Sequence, residues 1–343
     1  NEAALLKKVL LQRYRAELRL GDDKWQHRLG QFVDEAHRLE TVVDLVVFFL
    51  YMAGIVLFGA SFFLKRKTSL EFVSGGGKLP SWAIGMSIFA TFVSSISFLA
   101  LPGSAYLNNW NGYALSLSIP IAALIAVTYF VPLYRRINSV SAYHFLETRF
   151  GLWARVYASS CYLLTQLARM GAVMYLLALP LSALLGWSVP VIIVITAISV
   201  IVYSTLGGLE AVIWTDSIQG IILIIGAILC PIIIMFSMPE GPGQVFSIAL
   251  ENNKFSLGSL DASLTESTFW VVLFYGLFIN LQNFGIDQNY VQRYISAKTE
   301  RDARKATWLG GLLYLPVSAL FFFIGTALYA YYTAMPELLP DNL

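Results

Sequence analysis

Ile84–Tyr106 reads IGMSIFATFVSSISFLALPGSAY, an apolar run with a polar waist. It is long enough to cross about 30 Å of hydrocarbon as a helix. At mid-depth, however, it carries Ser94, Ser95 and Ser97, and towards one end Pro102-Gly103. Hydroxyls and weakened helix are tolerated at that depth where the backbone lines a cavity, and an unwound segment exposes carbonyls that can coordinate a cation. An ion-coupled solute site is one reading. Close helix packing through small residues is the other.

The rest of the chain sets this segment in a membrane. Of the 343 residues, 57% are hydrophobic and 13% charged, and mean hydropathy is +0.66, outside the balance of a soluble domain. The expected class is an all-α polytopic membrane protein. Runs of crossing length lie near residues 45–64, 81–104, 113–134, 152–186, 188–206, 211–237, 268–290 and 307–333, which makes eight helices. A net charge of +2 offers no case for nucleic acid. Cys161 and Cys230 both fall in apolar runs, where they are expected as small buried hydrophobes.

Lys and Arg orient the spans. Alternate loops, starting after the first span, collect Lys65, Arg66, Lys67, Lys78, Arg135, Arg136, Arg149, Arg155, Arg293, Lys298, Arg301, Arg304 and Lys305, against Lys254 alone on the other side. Positive charge marks the cytoplasmic face. Both ends of the chain are therefore expected outside an inner (plasma) membrane, with Arg293 onward an anchor at the inner surface. Residues 1–44 hold eight basic and eight acidic residues at helix-compatible spacing. They read as a charged amphipathic segment ahead of a transmembrane domain over 45–343.

Three polar intrusions suggest chemistry. Arg169 lies mid-way along LWARVYASSCYLLTQLARMGAVMYLLALPLSALL, Leu152–Leu185. A charge there costs roughly 2.5–3.5 kcal/mol on insertion scales. Its planar fork suits a carboxylate; the alternative is a structural pairing with a neighbouring helix. In STLGGLEAVIWTDSIQG, residues 204–220, Gly207-Gly208 permit a tight turn between two spans, and Asp216 falls inside the apolar run beside Thr215. A lone carboxylate at that depth wants a cation or a donor, so a sodium site and a salt bridge both fit. In INLQNFGIDQNYVQRYISAKTERDARKA, residues 279–306, the crowd of amides from Asn280 to Asn289 suits a hydrated vestibule. His27, His37 and His144 form no metal or triad constellation, so an enzyme is not expected.

FVSGGGKLPSWAIGMSIFATFVSSISF (72–98), GGLEAVIWTDSIQG (207–220) and DQNYVQRYISAK (287–298), in this order, resemble the sodium/solute symporter family. Within it the chain looks most like bacterial sodium-coupled sialic acid transporters. The resemblance implies two inverted five-helix repeats preceded by one extra helix. This chain would then be a fragment holding the extra helix, the first repeat and two helices of the second.

The resemblance also implies a site. Arg169 would bind the solute carboxylate, Ser94 and Ser97 would contact the solute, and the carbonyls of Ala90 and Val93 would hold sodium. Asp216 would belong to a second sodium site, and Asn280 would be a sugar contact. Phe92 stands where those transporters have a further hydroxyl, Ser116 where they have a solute-binding Gln, and Asn283 where sugar transporters have an aromatic inner gate. The expected function is import of an organic solute by alternating access, with Na+ as the coupling ion and an acidic sugar such as sialic acid as cargo. The alternatives are a neutral sugar, a small monocarboxylate, or a transporter-like input domain of a signalling protein.

Overall fold

The computed structural model describes residues 43–339 apart from 44, 65–67, 138, 140 and 264. The charged leading segment, save Val43, and the basic cluster Lys65, Arg66, Lys67 thus lie outside the described residues. Those described form helices and no named strand; one isolated parallel bridge pairs Leu79 with Ala297. An all-α fold is what the apolar runs require, because a helix satisfies its own backbone groups in hydrocarbon.

The first apolar helix, α1 (Leu45–Ser61), leads to α2 (Ser69–Ser74). A capping box opens α2: Thr68 Oγ1 accepts from the Glu71 N–H at 3.2 Å, and the Glu71 carboxylate accepts from the Thr68 N–H at 3.0 Å. Gly75, Gly76 and Gly77 follow at φ 69°, 72° and 62°, a left-handed run that only glycine adopts without cost. It delivers the chain into α3 (Ser81–Phe92).

The serine-marked weak point is a real break. Val93 (φ −87°, ψ 128°) and Ser94 (φ −138°, ψ 176°) are extended, and α4 (Ser95–Leu107) resumes at 52° to α3. Pro102 does not end α4, which runs on past it. The next crossing, Trp110–Ile137, is built from α5 (Tyr113–Leu117), α6 (Ile119–Ile125), a π-helical turn at Ala126–Phe130 and α7 (Val131–Ile137).

The short α8 (His144–Phe150) precedes α9 (Leu152–Leu185), which buries little of its surface against other described residues. Cys161 is accordingly exposed on α9 instead of buried as expected, and Cys230 is half-buried; both are free thiols. Next comes α10 (Val189–Phe236), whose 48 residues would make a rod of about 72 Å if straight, more than twice the hydrocarbon thickness. It is not straight: Gly208 is non-helical at φ 67°, ψ −168°, so the Gly207-Gly208 turn expected between two spans divides it. The chain closes with α11 (Gln244–Glu251), α12 (Phe269–Ile286), α13 (Gln288–Ser296) and α14 (Glu300–Ala334). Among the described residues five helices are long and apolar enough to cross a membrane, or six with α3 and α4 counted as one bent span.

α14 is the packing centre, lying along both α3 and α4. Ile84, Ile88 and Phe89 of α3, Ala123 of α6, Phe284 of α12, Tyr294 of α13 and Phe321 of α14 are fully buried in one cluster. This cluster fixes α3, the first half of the broken span, relative to α12, α13 and α14.

Lys254, the lone basic residue of the loops expected outside, is 5% exposed. Its Nζ donates to the carbonyls of Tyr106 at 2.7 Å and Asn108 at 2.9 Å and lies 3.7 Å from the Tyr329 ring centroid. These carbonyls belong to the last turn of α4, where helical partners run out and a cation meets the negative end of the dipole. Burial lowers the ammonium's pKa from its usual value. Lys254→Met is expected to cost about 1–3 kcal/mol, the loss of charged hydrogen bonds. Thermal unfolding in detergent measures it, and an unchanged midpoint would mean water serves those carbonyls equally well.

Candidate functional site

The break between α3 and α4 frees backbone acceptors. The Val93 N–H still bonds the Phe89 carbonyl at 3.2 Å, but no N–H of Ser94 reaches Ala90 and none of Ser97 reaches Val93. Among the described residues the Ala90 and Val93 carbonyls thus lack their helical i+4 partners. Ser94 is half-buried beside them, while Ser97 is 9% exposed and donates to the Phe92 carbonyl at 3.3 Å.

Directly before the break stands an aromatic cluster. The Phe92 ring lies 5.3 Å from Phe284, 5.1 Å from Tyr290 and 5.3 Å from Tyr314, centroid to centroid. Phe284 and Tyr290 are themselves 5.5 Å apart. Edge-on aromatic contacts at this spacing each add about 0.5–1.5 kcal/mol beyond burial. The aromatic at this level is therefore Phe284, next to Asn283, the position matched to an aromatic gate. Sequence reasoning missed the cluster because its members come from α3, α12, α13 and α14.

Beyond the cluster lie two Arg–Asp pairs of different character. In the first, Arg293 of α13 donates from Nη2 to Asp216 Oδ2 at 2.8 Å, from Nε to Ser87 Oγ at 2.7 Å and from Nη1 to the Asn289 carbonyl at 2.7 Å. Ser87 in turn donates to Asp216 Oδ2 at 2.6 Å. Arg293 is 6% exposed. Its expected role as a surface anchor is corrected: a charge so buried has to be paired, and here it ties α3, α10 and α13 together. Of the two readings open for Asp216, the ion pair is the arrangement present, and both contacts fall on Oδ2.

In the second pair, Arg169 Nη1 lies 3.8 Å from Asp287 Oδ2. The Arg169 side chain is 42% exposed and that of Asp287 only 8%. Asp287 caps α13, accepting from the Asn289 N–H at 2.8 Å, and further accepts from Tyr162 Oη at 3.1 Å and Gln166 Nε2 at 3.4 Å. Tyr162, Gln166 and Arg169 recur at the spacing of one face of α9. Three more tyrosines serve the carbonyls that α12 leaves open just ahead of Asp287: Tyr294 to Phe284 at 2.9 Å, Tyr134 to Gly285 at 2.6 Å and Tyr143 to Ile286 at 3.1 Å. Arg135, also expected as a loop cation, donates to the carbonyls of Ile295 at 3.1 Å and Ala297 at 2.9 Å at the other end of α13.

The remaining expected contacts turn to neighbouring helices. Asn280, 1% exposed, donates from Nδ2 to Ser118 Oγ at 3.0 Å and to the Leu115 carbonyl at 3.3 Å. One turn earlier on α12, a Cβ at Gly276 would fall 2.7 Å from the Leu115 Cα. Gly276 and Asn280 thus bring α12 against the α5–α6 junction. Ser116, 2% exposed, accepts from Ser318 Oγ of α14 at 2.9 Å. His144 lies 3.3 Å from Glu147, whose carboxyl is held below the usual carboxylate range first by the hydrogen bond from Arg155.

The family model for sodium:solute symporters matches residues 72–341. The chain belongs to that family. Its relatives include the sodium/sialic acid symporter NanT of Aliivibrio fischeri, 36% identical over 302 residues that make up 88% of this chain and 60% of that protein. The sodium/sialic acid symporter SiaT of Proteus mirabilis is 36% identical over 300 residues, 87% of this chain and 60% of that protein. The fold matches a solved substrate-bound, outward-open Na+-coupled sialic acid symporter with a TM-score of 0.83 at 36% identity, covering 88% of this chain and 63% of that one. The chain thus spans about 60% of the length of the two relatives. As a family member it is a multi-pass membrane protein, and the relatives named here are transporters of small solutes.

Proposed function

We propose that the full-length protein is a sodium-driven symporter that carries an acidic sugar, sialic acid foremost, by alternating access around the break between α3 and α4. The observation that carries this reading is the break itself, which takes the Ala90 and Val93 carbonyls out of the helical ladder. Carbonyls freed from the helical ladder suit a hard, oxygen-seeking ion, and discontinuous helices at mid-membrane are where secondary transporters bind their cargo. Arg169 is the carboxylate receptor in this reading, with Ser94, Ser97, Ser116 and Asn280 as further solute contacts and Asp216 at a second sodium site. Likeness to sialic acid symporters at 36% identity supports the assignment. Residues 45–343 are then part of an inverted-repeat domain with eight crossings in an inner membrane, and the amino end lies outside, on the side opposite most of the loop cations.

Uptake of labelled sialic acid into proteoliposomes holding the full-length protein tests this. An inward sodium gradient should drive accumulation above the external level, and replacing sodium by choline should abolish it. Competition by a small monocarboxylate but not by sialic acid would transfer the assignment to the monocarboxylate. Uptake indifferent to sodium would refute coupling.

A further inference from the structure

The two Arg–Asp pairs differ in a way that assigns a role to Asp287. Arg293 and Asp216 are closed at 2.8 Å, with side chains 7% and 18% exposed and all three guanidinium nitrogens engaged. That pair is closed, with every guanidinium nitrogen satisfied. Arg169 and Asp287 stand 3.8 Å apart, beyond hydrogen-bond length, and among the described residues Arg169 makes no hydrogen bond. Attraction between the charges persists at this distance. The five N–H donors of the fork stay uncommitted.

Asp287 is fixed independently of Arg169. Its Oδ1 accepts from the Asn289 N–H and the Tyr162 hydroxyl at 2.8 and 3.1 Å. Oδ2, the oxygen facing Arg169, has only the long 3.4 Å contact from Gln166 besides. Tyr162 is held in turn, accepting from Asn289 Nδ2 at 3.1 Å. The carboxylate is therefore a rigid anion with one under-used oxygen, and Arg169 is a half-exposed cation at arm's length from it. Arg169 is the one basic side chain within ion-pairing distance of Asp287 among the described residues.

We propose that Asp287 is an internal stand-in for the solute's carboxylate, balancing the Arg169 charge while the site is empty and competing for it while the site is filled. This rests on the reading of Arg169 as the carboxylate receptor. The incoming carboxylate takes the free fork without first breaking hydrogen bonds. Asp287 weakens its hold, by sharing the guanidinium and by repelling the second anion, and recovers the cation as the solute leaves. Asp287 is a positioning residue: it sets affinity through Arg169 and discriminates acids from neutral analogues of the same shape.

The test is titration calorimetry of the purified full-length protein in sodium, with sialic acid and its carboxamide as probes. Asp287→Asn keeps the cap on α13, since Asn is as good an N-cap as Asp, and Asp287→Ser is a second uncharged cap should Asn fold poorly. Either variant is expected to bind sialic acid about two- to fivefold tighter, the size of a half-exposed ion pair, with carboxamide affinity unchanged. A merely structural role would move both probes together and downwards. Unchanged or weaker sialic acid binding in the Asp287 variants, while Arg169→Gln abolishes it, overturns the proposal and leaves the carboxylate reading standing. If Arg169→Gln binds sialic acid as well as the parent protein, that reading falls and the proposal with it.

Discussion

Arg293→Met is expected to lower the stability of the folded protein by about 3–5 kcal/mol, because removing one partner of a buried pair strands the other charge. The stranded groups are Asp216, Ser87 and the Asn289 carbonyl, each within 2.8 Å of the guanidinium. Methionine fills the volume of the stem but donates nothing. Chemical denaturation in mixed micelles measures the loss. Adding Asp216→Asn to Arg293→Met should recover part of it, since the uncompensated anion is gone, and this non-additivity separates a pair from two independent sites. Arg293→Lys should fall between, as an ammonium lacks the fork that serves Ser87, Asp216 and Asn289 together. A loss under about 1 kcal/mol would place the pair with weak surface bridges.

That pair also marks where the sequence stops being readable. The break after Phe92 was legible because it is local: serines and small residues in an apolar run weaken a helix whatever surrounds it. The division of α10 was legible for the same reason, since Gly-Gly between two crossing-length runs permits a tight turn that other residues resist, and Gly208 takes a positive φ. Arg293 was not. Its partner Asp216 is 77 positions away, and counting cations along loops treats every Arg near a span end as solvated. Arg135 was misread in part for that reason, because the carbonyls it serves lie 160 and 162 positions along the chain. The aromatic cluster on Phe92 and the tyrosines over the end of α12 depend on packing of separate helices, which carries no short-range signature. Lys254 was visible as an isolated charge, but its work, closing the end of α4, was not.

Arg169→Lys in the full-length protein should reduce sialic acid affinity about ten- to a hundredfold, the worth of one to two charge-assisted hydrogen bonds. The substitution keeps the charge near Asp287 and costs about the same to place at mid-membrane, so expression and folding should hold. What is lost is the planar fork, which meets a carboxylate with two parallel N–H donors where an ammonium offers a point contact. The carboxamide supplies the internal comparison, since it binds without the charged pair and should lose far less. Sodium binding measured without solute should stay intact if the proposed Ala90 and Val93 carbonyls hold the ion, because they leave the helical ladder through the break after Phe92 and not through α9. Sialic acid uptake within twofold of the parent protein would mean the half-exposed guanidinium serves the packing of α9 against Asp287 and takes no part in holding the solute.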